Sequence, residues 1–218
     1  MKVFWQQFSA ALTPGVRTLL LLLTVVYLSA LAGTLTRTVD LQHWLAASAP
    51  DVWRGQIWRI VTYALLPAGI MDFVMNAFAL VLLGSRFERH WSRRELWLFC
   101  GIAAAGAGVA NVLLAGAGSP PLTGAAPMMV GLLIAWAFIS GHEVVLLPLL
   151  GQSTVRQLVL VLAAVSILVM LFSAGLTAAL VLASGALAGW IYLRLRQKWL
   201  MTRASRAVHS ERIQRLEL

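Results

Sequence analysis

Long apolar runs separated by short polar stretches repeat along the chain, and the length of each run limits what it can form. A helix rises about 1.5 Å per residue, so crossing a hydrocarbon core of about 30 Å takes roughly 20 apolar residues. The runs over residues 18–35, 69–85, 96–117, 157–174 and 176–195 meet or approach that length and predict spans. A further run, 124–140, predicts a central helix of about 25 Å. It is short for a span and starts below one surface, behind the break at Ser119, Pro120 and Pro121. The pattern predicts an all-α membrane protein with a six-transmembrane-helix bundle. Residues 37–67 mix charges with Trp44, Trp53, Trp58 and Tyr63, the make-up of a long interfacial first loop with short helices of its own. At the start, Val3, Phe4, Trp5, Phe8 and Leu12 interleave with Lys2, Gln6 and Gln7, which predicts a short interfacial helix that Pro14 and Gly15 end. That stretch lacks the pattern of a cleaved signal peptide, so the first span is expected to serve as the membrane signal. Residues 142–156, with Pro148 and Gly151, predict a connection lying at the inner interface.

Composition agrees with the pattern: 60% of residues are hydrophobic and 11% charged, too little polar surface to cover a soluble globule. A net charge of +9 would suggest nucleic acid in a soluble protein, but here the cations cap apolar runs, so no nucleic-acid partner is expected. Every Lys and Arg except Arg37, Arg54 and Arg59 falls on a terminal segment or an even-numbered connection, and the positive-inside rule then places both termini in the cytoplasm. Three segments follow: an N-terminal interfacial segment 1–16, a membrane domain 17–196 and a basic tail 197–218. Cations from Arg194 to Arg215 flank an apolar stripe of Leu200, Ala204, Ala207 and Val208, suited to anionic lipid or a partner helix. The single Cys100 excludes a disulfide or a cysteine-based metal site within the chain, and no cofactor or metal is expected.

Candidate chemistry centres on Asp72 and Asn76 in the second span, four positions apart and therefore on one helical face. An acid within a span costs roughly 2.5–3.5 kcal/mol on insertion scales, so Asp72 needs an explanation. Three stand open: solvation at the helix end or in a cavity, a part in ion or substrate passage, and pairing with Arg59 or a partner's cation. His43, His90, His142 and His209 lie in loops or the tail by this reading, so Ser166, Ser173 and Ser184 have no visible base. Lys2 and Lys198 sit near the ends, which removes a serine–lysine pair as well. Glycines 101, 106, 108 and 116 in the third span predict close helix packing.

Four spaced motifs resemble those of the rhomboid intramembrane proteases. Residues 122–133, LTGAAPMMVGLL, resemble that family's signature helix, with Gly124 and Gly131 kept, Ala126 at the nucleophilic serine's place and Pro127 for the next glycine. Trp58, Arg59, Ile60, Val61 and Thr62 resemble the first-loop signature. Asp72 stands where similar rhomboids carry a histidine that helps hold the oxyanion, Asn76 matches their asparagine, and Gly84, Phe87 and Glu88 resemble the motif at the inner end of the second span. In LASGALAGW, Gly185 and Gly189 are in register and Leu182 replaces the histidine base. The resemblance implies a six-helix rhomboid-like bundle without peptidase chemistry, since an alanine methyl cannot attack a carbonyl and a carboxylate at position 72 repels a developing oxyanion. One engineered substitution could explain Ala126 but not also Leu182, Asp72 and Pro67, the last at a place where similar rhomboids often have a further histidine.

The implied function is that of a pseudoprotease. It binds transmembrane segments of client or partner proteins by lateral helix contacts, as adaptor, stabiliser or subunit of a larger complex in the lipid bilayer. The alternatives are a transport or lipid-perturbing protein using an Asp72/Asn76 cavity, and a peptidase with a displaced nucleophile. The expected location is a bacterial cytoplasmic (inner) membrane.

Overall fold

The computed structural model describes residues 12–36, 41–114, 119–147 and 151–216. Val3 to Phe8 of the expected interfacial helix, Arg37 and Gly116 lie outside the described residues. Helix α1, Pro14–Thr36, is the leucine-rich first run, and Pro14 suits its first turn because the N–H it lacks would be unpaired there anyway. The connection after it holds α2 (Leu41–Leu45), α3 (Ala49–Trp53), α4 (Arg59–Thr62) and a 3-10 turn (Tyr63–Leu65). Helix α5, Ile70–Ala79, passes through a π-helical turn, Leu80–Gly84, into α6, Ser85–His90, as one apolar stretch of 21 residues. Helix α7 is Arg93–Leu114, α8 is Ala126–Ser140, and α9 is Val155–Leu216.

Among the described residues, four helical stretches are long and apolar enough to cross a membrane: Pro14–Thr36, Ile70–His90, Arg93–Leu114 and Val155–Thr202. The fourth is bent double. Gly175 breaks α9 at φ 87° and ψ 179°, a conformation open essentially to glycine alone. The first limb, 155–174, returns antiparallel along the second, 176–216, so that Ala163, Ile167 and Met170 pack with Leu182, Ala186 and Val130 of α8. Helix α8, only 15 residues long, is apolar all round and buried from Pro127 to Leu132 against α7 and the second limb.

The core is built of Phe87, Phe99, Leu96, Leu132 and Leu193 around α8, with Val16 of α1. The outer faces of α1, α5 and the first limb leave Leu21, Val25, Val74, Phe78, Leu168 and Phe172 exposed, an apolar surface that suits lipid. At one end, Glu95 of α7 accepts from Tyr192 and pairs with Arg196 at 2.6 Å, tying the second limb to α7.

Two expectations are corrected. Residues 142–156 are more than a plain connection: Val144–Leu147 (β1) and Gly151–Thr154 (β2) pair antiparallel in a small hairpin. Arg86 to His90 are helical rather than loop, because cations are favourable at a helix C-terminus; His43 also lies on a helix, α2. The basic segment from 197 is helical, since the second limb runs on without a break to Leu216.

Candidate functional site

The start of α8, where a nucleophile would stand, is held by the connection between α1 and α5. Ala47 and Leu122 exchange both backbone hydrogen bonds at 2.9 Å, and Asn111 Nδ2 of α7 donates to the Ala47 carbonyl at 3.1 Å. The Gly124 N–H donates to the carbonyls of Tyr63 (3.1 Å) and Leu66 (2.9 Å), an arrangement reached at φ 91°, where a side chain would be strained. Tyr63 is itself buried and donates through its hydroxyl to the Ala104 carbonyl at 3.0 Å; burial pushes that phenol's pKa up.

Arg59 explains why this connection keeps its shape. Its guanidinium is 2% exposed and donates from Nε to Gln56 Oε1 (2.7 Å) and from Nη1 to the Ala46 carbonyl (3.1 Å), with Asp51 at 3.2 Å. A buried cation persists only when paired and hydrogen-bonded, and here both conditions hold. Trp58 beside it is exposed, as are Trp44 and Trp53, the arrangement of an aromatic rim.

Asp72 does not pair with Arg59, which removes one of the explanations left open for it. Its Oδ1 accepts from Asn76 Nδ2 at 2.9 Å and its Oδ2 accepts from the Ala68 N–H at 3.0 Å, so one carboxylate ties the chain entering α5 to the first turn of that helix and fixes the buried amide of Asn76. It also stands against the start of α8: a Cβ placed on Gly124 would come 3.0 Å from Asp72 Oδ2.

Ala126 and Leu182 do come together. Both line a cavity of about 250 Å³, with Pro121, Met170, Thr177 and Val181 around it. Asp72 and Asn76 are not on its wall, so the two halves of the expected site are separated. Pro127 has no N–H to offer an oxyanion, and the hydroxyls of Ser166 and Ser184 donate back into their own helices, to Leu162 and Val181.

The retained glycines are packing positions. A Cβ on Gly185 would lie 2.8 Å from Pro127 Cβ, one on Gly189 would lie 2.9 Å from Phe99 Cζ, and one on Gly131 3.3 Å from Ala103 Cβ. Helix α8 and the second limb therefore cross in direct backbone contact. Glu88 is the other retained residue with a clear task. Buried on α6, it accepts from the N–H groups of Gly15 (2.8 Å) and Val16 (3.0 Å) and from the Thr13 hydroxyl, capping α1 from a distant helix.

Reading the sequence missed Asn111, Asp51 and Gly175. Asn111 carried a usable signal, a lone amide in an apolar run, and so did Gly175, the glycine between the runs 157–174 and 176–195; Asp51 carried none that set it apart from other loop residues.

A family model described as "Eukaryotic integral membrane protein (DUF1751)" matches residues 17–212, and that family is grouped with the rhomboid-like families. No curated protein matches the chain. An integral membrane protein in contact with the bilayer agrees with this finding. A bacterial inner membrane does not, because the family is eukaryotic, and that expectation is withdrawn.

Proposed function

Because the chain belongs to this eukaryotic integral membrane family, we infer that it is a rhomboid-like protein of six crossings. In this reading it lacks peptidase chemistry and holds transmembrane segments of other membrane proteins against its flank. The observation that carries the reading is the contrast within one site. The scaffold residues Arg59, Glu88, Gly124, Gly131, Gly185 and Gly189 are all engaged, while the nucleophile and base positions, Ala126 and Leu182, line one cavity with no reactive group on either side chain. Selection that keeps the frame and loses the reactive groups fits binding better than bond cleavage.

The six crossings count α8 and each limb of α9 separately. The long first connection, with its exposed tryptophans, lies in the interface in this reading. The partner surface is the apolar flank of α5 and the first limb, where Met71, Val74, Phe78, Leu168 and Phe172 are exposed. The partner relation, as adaptor, stabiliser or complex subunit, is lateral contact between helices within the bilayer. A transport role loses support because Asp72 uses both carboxylate oxygens internally and lies off the cavity wall. A displaced nucleophile loses support because the Ser166 and Ser184 hydroxyls are bonded into their helices.

The test is recovery of partners in mild detergent from native membrane, using the tagged full chain. Changing Val74 and Phe78 of α5, or Leu168 and Phe172 of the first limb, to alanine should lower recovery of a co-purifying membrane protein at least several-fold. Unchanged recovery with both sets would overturn the assignment of this flank.

A further inference from the structure

At the cation-rich end of the bundle, the last turn of α8 and the adjoining ends of the two limbs of α9 leave a cleft of about 460 Å³ between them. Pockets that bury a small ligand typically fall within roughly 300–1,000 Å³. The rim carries His142 after α8, Arg156 at the head of the first limb, and Arg194 and Gln197 on the second. Both arginines are exposed, and among the described residues neither has a carboxylate within ion-pair distance. Glu143, the acid next to His142, lines a different cleft with Arg86 and Arg89. Arg194 Cζ stands 5.1 Å from the centre of the Trp190 ring, a stacking that holds this guanidinium at the rim.

Below the rim the lining becomes apolar, through Val159, Ile134 and Trp190. Ile134 and Trp190 are shared with a second groove of about 390 Å³ that continues between the limbs past Ala163, Ile167 and Ala186. One trough therefore starts at two unpaired guanidinium groups and runs on along small and branched apolar residues. The change from polar to apolar falls at the right level, since the apolar run of the first limb begins at Leu158, just after Arg156 and Gln157.

The geometry points to a site for one anionic phospholipid, its phosphate between Arg156 and Arg194 and one acyl chain in the groove past Trp190 and Ile167. Guanidinium groups match phosphate with paired, charge-assisted hydrogen bonds, and basic pockets between spanning helices are where acidic head groups bind. A soluble phosphate compound would use the rim alone and leave the groove unexplained, so the lipid is the occupant that accounts for both. This site is separate from the proposed partner flank and from any attraction of lipid to the cations beyond residue 200.

Native mass spectrometry of the purified full chain, given phosphatidylglycerol or phosphatidylcholine in equal amounts, tests the assignment. Phosphatidylglycerol should be retained about tenfold better, with Arg156→Gln/Arg194→Gln abolishing the preference and Arg212→Gln/Arg215→Gln preserving it. Equal retention of the two lipids would overturn the site, as would a preference that survives the first double variant. Competition by glycerol 3-phosphate as strong as that by the lipid would overturn the acyl groove and assign the rim to a soluble phosphate.

Discussion

Glu88 shows how much one side chain can carry in this protein. Its carboxylate accepts two backbone N–H groups and a hydroxyl from the start of α1 while almost wholly buried. Glu88→Gln keeps the volume but loses the charge and one acceptor oxygen. Hydrogen bonds to a buried charged group are worth about 1.5–3 kcal/mol, so a clear fall in melting temperature in detergent is expected. Asp72 yields a different prediction. Ala126→Ser/Leu182→His would return a hydroxyl and an imidazole, yet the protein should stay unlabelled by a serine-reactive phosphonate. The carboxyl group of Asp72, with no hydrogen-bond donor to offer like the histidine of similar rhomboids, stays beside the start of α8, and Pro127 supplies no N–H. Labelling of that double variant would show that Asp72 does not oppose the chemistry. The identities at positions 72, 126 and 182 were legible in the sequence because each stands in a spaced motif. Of the groups around Asp72, Asn76 was legible from its four-residue spacing, whereas the approach of Gly124 was not, since only the folded chain brings that distant residue to it.

Helices here are shaped by their exceptions. The π-helical turn Leu80–Gly84 takes in an extra residue and resets the phase between α5 and α6. One continuous stretch can thereby present Asp72 and Asn76 toward α8 and Glu88 toward α1. Gly175 is the sharper case, because no loop joins the limbs of α9 and the reversal rests on one residue at φ 87°. Gly175→Ala places a Cβ where open space exists but the backbone forbids it, so a loss of about 1–3 kcal/mol is expected, read as a lower melting temperature. Apolar run length located each long helix because lipid imposes length. It gave no sign of the β1–β2 hairpin, whose strands are too short to show a period, and it placed Arg86 to His90 outside the helix because their charges mimic a loop.

For the whole molecule, the six-crossing reading rests on whether both limbs of α9 traverse the bilayer. Cys100 is fully buried and should remain silent to a maleimide that cannot cross membranes, so single cysteines can be added without removing it. Ser173→Cys, next to the reversal, should label from the same side as Arg54→Cys and from the opposite side to Lys198→Cys. Labelling of Ser173→Cys together with Lys198→Cys would mean that the limbs turn back without crossing. Order of synthesis adds a further constraint. The acceptor for the Gly15 N–H lies 73 residues later in the chain. At about 5–20 residues per second, the start of α1 waits roughly 4–15 s for Glu88 to be made. During that interval only water or lipid head groups can serve its free N–H groups. The start of α1 is therefore fixed only once the apolar stretch that ends in α6 has been made, and a nascent chain halted before residue 88 would hold α1 by its apolar flanks alone.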